Sequence, residues 1–211
     1  ATPIPLHPYK AKRPMASYQA IRAVSHALID LLESRFQQAG LGNEGFTFAI
    51  YQSENFNQPM VAGISLFLFR ILPNSSHRTP TGRIGPDGRR LRTRLPLDLY
   101  FLLTAWAQDA SLQHELMGLA MRVLEDTPIL PSGLLNAGAE AIFLSDESVE
   151  IGIAELTNED ILRIWETVTE DRYQISVPYV VRNLQVDSTL PLEQGTRIQD
   201  RVFDYGTVAA R

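Results

Sequence analysis

The residues that could do chemistry in this chain are a few histidines, clustered carboxylates, a serine between glycine and bulky apolar residues, and many arginines. Their spacing limits what they can do. His114-Glu115 opens like the zinc-protease motif HExxH, where two imidazoles one helical turn apart hold the metal. Position 118 is Gly, so the second imidazole is missing and zinc binding by that route is excluded. Gly63-Ile64-Ser65-Leu66-Phe67 begins like the GxSxG turn of serine hydrolases. It lacks the closing glycine and lies inside a strand pattern, not at a strand-to-helix turn. There is no Walker loop and no GxGxxG after a strand. The histidines at 7, 26, 77 and 114 have no metal-ligand spacing. Asp146, Glu147 and Glu150 read as a solvated turn without the further oxygens of a Ca²⁺ loop. No catalytic, cofactor-binding or metal-ligating residue is assigned, and the chain reads as a non-enzyme.

Arginine is the remaining signal. Residues 73–94 hold Arg78, Arg83, Arg89, Arg90, Arg92 and Arg94 against a single acid, Asp87. The formal net charge is -5 overall, so this +5 stretch leaves -10 for the rest. One reading is a solvated loop that keeps strand ends soluble. The other is an interface, because a guanidinium presents a planar fork of five donors that pairs bidentately with carboxylates. All six basic residues are Arg and none is Lys, which favours a geometric contact. Arginine also suits phosphates, so a nucleic-acid-binding domain using loop 74–94 is the rival function. The GxxG at Gly82 and Gly85 echoes an RNA-binding clamp, but it sits between strands. Against nucleic acid stand the lack of aromatic residues between Pro73 and Leu95 and the acidic remainder.

The elements that would position this loop are two apolar strands. Leu95, Leu97, Leu99, Phe101 and Leu103 alternate with Pro96, Asp98, Tyr100, Leu102 and Thr104, giving one fully apolar face. Ile64, Leu66 and Leu68 on one face and Phe67, Phe69 and Ile71 on the other are apolar, which predicts a central strand with helices on one side and another layer, such as a neighbouring subunit, on the other. Around them the periodicity predicts a helix from Ser17, a short strand over 46–51, a helix opened by Asp109 or Ser111 and stopped by Pro128, and a loop over 129–139. A short strand over 141–144 and a half-buried strand through Val149, Ile151 and Ile153 follow. Thr157 and Asp160 form a capping-box start for a helix, and the last strand runs through Ile175, Val177, Tyr179 and Val181. Pro178 argues for an edge or a bulge there. The predicted fold is α+β: a mostly antiparallel sheet with helices packed on one face.

At 211 residues the chain suits one domain with arms. Residues 1–15 read as an extended basic arm or a loose tail, 16–186 as the domain, and 187–211 as a C-terminal arm. In that arm Arg201, Val202, Phe203 and Tyr205 suggest a docking segment. With 45% hydrophobic and 20% charged residues the composition is ordinary for a globular protein. No cysteine is present, which fits a reducing compartment and excludes disulfides. No apolar run approaches the roughly 18 residues of a membrane span. The opening ATPIPLHPYKAKRPM has no apolar core of a secretory signal.

The order SLFLFRILPN, then GRRLRTRLPLDLYFLLTAWAQDA, then QHELMGLAMRVLEDTPIL resembles the cap or tail-terminator protein of extracellular contractile injection systems, phage-tail-like particles that include the antifeeding prophage. ASYQAIRAVSHALIDLLESRF, LTNEDILRIWETV and YQISVPYVVR fit it as well, so the likeness runs from Ala16 to Val186. The resemblance implies a compact tail-terminator-like fold that forms a six-fold ring. It also implies that the ring ends the inner tube and sheath, that tube and sheath proteins are its partners, and that it assembles in the bacterial cytoplasm without cofactor, nucleic acid or membrane span. The arginine loop and the segment Arg201 to Tyr205 would then be interface residues.

Overall fold

The computed structural model describes residues 17–40, 45–77, 83–84, 90–138, 141–169 and 172–188. Helix α1 (Ala20–Gln38) leads into strand β1 (Thr47–Tyr51), and a 3-10 turn over Ser53–Asn57 connects it to β2 (Gly63–Pro73). The arginine-rich segment carries the two-residue strands β3 (Arg83–Ile84) and β4 (Arg90–Leu91), which pair with each other. Then follow β5 (Leu95–Trp106), α2 (Ala110–Glu125), β6 (Ile129–Pro131), α3 (Ser132–Leu135), β7 (Ser148–Ile153), α4 (Asn158–Val168) and β8 (Ser176–Val186). Six strands form one sheet in the order β1-β2-β5-β8-β7-β6. Every pairing in it is antiparallel except β1 with β2.

Local chemistry sets the element ends. Asp109 accepts a hydrogen bond from the Leu112 N–H at 2.9 Å and so caps α2. In α4 Thr157 and Asp160 satisfy each other's backbone N–H at 3.1 Å in both directions, the capping box expected from the sequence. The Thr157 hydroxyl, which donates to Asp160 Oδ2 at 2.6 Å, and then the Thr157 N–H hold the Asp160 carboxyl below its ordinary range. Gly40 ends α1 with φ 86°, a left-handed conformation that costs glycine little. Gly63 is a stricter requirement: its φ is 143°, and a Cβ there would lie 1.9 Å from the Thr47 carbonyl oxygen. The parallel partner strand closes to this distance only because position 63 has no side chain.

The sheet has two covered faces. On the first, α1, α2 and α3 pack against Ile64, Leu66, Leu99, Phe101, Leu103 and Val181 in one continuous apolar core. Each such fully buried side chain contributes roughly 1.5–3 kcal/mol. On the second, Trp165 of α4 and Phe56 of the 3-10 turn meet Tyr51, Leu102 and Trp106. The expected α+β class and mostly antiparallel sheet are thus borne out. Helices α1 and α2 cover one face as predicted, joined there by α3, but α4 lies on the opposite one. The second layer predicted for β2 is therefore supplied in part by the chain itself, through Phe67 and Phe69 packed beneath that small cluster.

Three local expectations need correction. The segment 129–139 is not a plain loop, since it contains β6 and α3. Residues 141–144 form no strand; Asn136 organises them instead, its Oδ1 accepting from the Ile142 and Phe143 N–H groups at 2.8 Å. Pro178 does not mark an edge strand, because β8 lies between β5 and β7. Its carbonyl accepts from the Ala154 N–H at 2.9 Å, so the proline nitrogen faces the same side, where β7 has already ended at Ile153. The missing donor falls where no ladder bond is required.

Candidate functional site: the loop-bearing end of the sheet

The arginine-rich segment leaves the sheet at Pro73 and returns at Leu95, and β8 leaves it at Val186 on the same side, because Leu95 pairs with Val186. Two polar knots tie these roots together. In the first, Asp98 of β5 accepts from the Asn183 N–H at 2.8 Å and from Asn74 Nδ2 at 3.2 Å. Asn183 has φ 56° and sits in a β-bulge where Asp98 faces two residues of β8. The Asn74 N–H also donates to the Pro96 carbonyl at 2.9 Å, closing the base of the loop.

The second knot centres on Arg94. Its Nε donates to Asp187 Oδ1 at 3.0 Å and its Nη2 to Asp187 Oδ2 at 3.4 Å. Nη2 also reaches Glu147 Oε1 at 2.9 Å, while Glu147 Oε2 accepts from the Leu144 N–H at 2.9 Å. The Asp187 side chain is 2% exposed and that of Arg94 25%. A bidentate pair at this burial is geometrically specific.

Of the other sequence-predicted interface residues, Arg92 is exposed beside this knot. Arg83 and Arg90 lie in β3 and β4 through their backbones. Arg78, Arg89, Arg201, Val202, Phe203 and Tyr205 lie outside the described residues, as do Gly82, Gly85 and Asp87. Sequence reasoning placed Arg94 among outward-reaching arginines; the structure gives it an internal role at the root of the loop. It also left Glu147 in a solvated turn, where it is in fact an ion-pair partner. Apolar residues stand open at the same end, with Ile71 42% and Leu95 44% exposed.

The residues weighed for catalysis fall elsewhere. Ser65 is fully buried, and its hydroxyl accepts from Trp106 Nε1 at 2.7 Å, so it is no exposed nucleophile. His114, Glu115 and Gly118 lie on the exposed side of α2, and His26 on the exposed side of α1. Among the described residues no group of His, Asp and Glu could hold a metal ion. No helix among them is long and apolar enough to cross a membrane.

Comparison with known proteins places this geometry. The model of the Pvc16 N-terminal domain family matches residues 23–200. The fold is similar to the sheath/tube terminator of an extracellular contractile injection system, PVC, in its extended state, with TM-score 0.56 and 16% identity over 90% of this chain and 64% of that one. It is similar also to the tube-terminating cap of the anti-feeding prophage, with TM-score 0.58 and 15% identity over 86% of this chain and 60% of that one. The chain thus spans less than two thirds of the length of either structure. No curated protein matches it.

Proposed function

Because the chain belongs to the Pvc16 N-terminal domain family, we propose that it is a structural cap, the tail terminator of a phage-tail-like contractile injection system. The observation that carries the reading is the likeness of nearly the whole described fold to two terminators of such particles. In this reading the protein forms a ring, six-fold in number, on the last layer of inner tube and sheath. One ring face matches that layer. The opposite face lacks the surface that another layer needs, so polymerisation stops. The mechanism is steric and energetic, and the chain is not an enzyme. Its partners are copies of itself and the tube and sheath proteins, and it joins the particle in the bacterial cytoplasm.

The sheet offers a specific means of attachment. Among the described residues β1 is an edge strand, paired with β2 alone, and β6 at the other edge is three residues long. An open edge accepts an added strand through backbone hydrogen bonds. Residues 197–206, RIQDRVFDYG, are the segment proposed to add to such an edge on a partner. Deleting them is expected to leave a folded protein. The deletion variant is then absent from purified particles. Normal incorporation removes strand addition from the account.

The cap reading itself is tested by imaging the purified protein by negative stain, alone and with the tube protein of its particle. Rings, or tubes closed at one end, are expected. A monomer that ignores the tube and binds generic DNA or RNA with a steep salt dependence makes the arginine loop a phosphate-binding element instead.

A further inference from the structure

We infer that the outer face of α4, with Arg172 and Tyr173 beside it, is an isologous contact surface for a second copy of this chain. Arg172 of each copy meets Glu166 of the other across a two-fold axis, around an apolar centre of Leu162 and Tyr173. The inference goes beyond the cap reading and does not rest on it.

This face lies at the end of the sheet away from the arginine-rich segment, near Trp106 and the start of β8. Three cavities of about 730, 280 and 230 Å³ converge there on Thr169 and Arg172. Their floor is fixed. Trp165 and Phe56 are buried with ring centroids 5.5 Å apart, and Trp165 Nε1 donates to Ser176 Oγ at 2.9 Å. Tyr173 packs edge-on against Trp165 at 5.9 Å. A preformed surface loses little freedom on docking. Val61, Leu162 and Tyr173, each exposed by half or more, stand on the rims of these cavities. Exposed apolar side chains gathered beside a concave surface mark a contact site.

Charge names the occupant. Elsewhere on α4 the charges are matched within the chain: Glu159 accepts from Arg163 at 2.6 Å, and Asp160 closes the capping box. Glu166 and Arg172 line the same two cavities, yet among the described residues neither side chain has a hydrogen bond or an ion pair. Both are exposed. Leu162 and Glu166 are one turn apart on α4, so an apolar and an anionic side chain share its outer face. Arg172 and Tyr173 set a cation and an aromatic ring beside them. A patch with both signs around an apolar centre is complementary to itself, which is the condition an isologous interface must meet. Such a contact closes on itself, so it pairs protomers, or whole rings, without enlarging a ring.

The test is sedimentation velocity of the full chain: wild type, Arg172→Glu, Glu166→Arg, and the charge-swapped Arg172→Glu/Glu166→Arg. Wild type is expected at twice the mass of either single variant. Each single substitution sets like charges together at both symmetric positions and should raise the dissociation constant of the pair by roughly tenfold or more. The swapped variant restores pairing, which a loss of folding could not do. Single variants that pair like wild type overturn the inference, and so does a swapped variant that stays apart. The chain has no cysteine, so any disulfide formed by one introduced cysteine joins two copies. Mild oxidation is expected to link Leu162→Cys and not Tyr18→Cys, which is more exposed but precedes α1; equal linking of the two counts against the contact. Particle incorporation separates the two readings. A wild type that caps particles but never pairs in solution ends the inference and leaves the cap reading standing; one that pairs but never enters particles does the reverse. Single variants that pair normally yet fail to enter particles assign the face to a tube or sheath contact instead, and the inference fails.

Discussion

The two faces of the sheet solve the same burial problem differently. One is covered by α1, α2 and α3 through a continuous aliphatic core in which Leu28, Leu32, Leu99, Phe101 and Leu103 are fully buried. The other is covered by α4 and a 3-10 turn over a small aromatic cluster. There both tryptophans are tethered by polar bonds: Trp106 Nε1 donates to Ser65 Oγ at 2.7 Å and Trp165 Nε1 to Ser176 Oγ at 2.9 Å. Ser65, Thr104 and Ser176 are aligned across β2, β5 and β8, so a row of hydroxyls runs beneath the aromatic rings. Trp165 is the single buried residue of α4, and Leu162 is 50% exposed. The difference teaches that the helix-covered face holds the domain together. The aromatic face is a lighter layer, whose hydrogen bonds fix where α4 sits.

The largest effect is expected on the first face. Phe101→Ala should cost about 3–5 kcal/mol, read from chemical denaturation, because the cavity opens in the continuous core. Gly63→Ala should cost about 3 kcal/mol or more, since the new Cβ must push β1 away from β2. It tests the joint between the two covers, and wild-type stability would show that the strands part freely there.

Trp165→Ala sharpens the contrast. On the aromatic face the expected loss is smaller, below about 3 kcal/mol, because α4 detaches without opening the main core. Amide exchange should accelerate in 158–168 and stay slow in α1. Simultaneous loss of protection in both would break the distinction between the faces.

The smallest effects compare one buried hydroxyl from each face. Thr104 and Tyr179 have no hydrogen-bond partner among the described residues. Thr104→Val and Tyr179→Phe should therefore be neutral or stabilising by up to about 1 kcal/mol. Tyr179 adds a pH signature. Burial first, and the Glu125 carboxylate second, push its phenol up to about 12 from 10.0. Ionisation is thus easier in the unfolded chain. The phenol's contribution is fully present below about pH 10 and is lost as pH rises to about 12. Tyr179→Phe should flatten this alkaline decline in the thermal midpoint; an unchanged slope assigns the decline to other groups.

Period-2 alternation made β5, β7 and β8 readable in the sequence, and polar caps made α2 and α4 readable. Those signals are local. The side of the sheet on which α4 packs was not readable, because an amphipathic helix states that it has an apolar face and not which surface receives it. The parallel pairing of β1 with β2 was hidden likewise, since strand direction follows from the path of the 3-10 turn. Pro131 and Gly133 disguised β6 and α3 as loop. At the candidate site the arginine excess was plain in composition. The part played by Arg94 was not, because its partners are 53 and 93 residues away in the chain. Asp187, just past an alternating strand, was the signal available.

The most direct test of the cap reading is electron microscopy of particles assembled with this chain carrying a density tag at an exposed α2 position such as Glu115. The account predicts tag density as a ring at one end of each particle, on the final layer of tube and sheath. Density repeated along the tube, or particles that end normally without the chain, would contradict it.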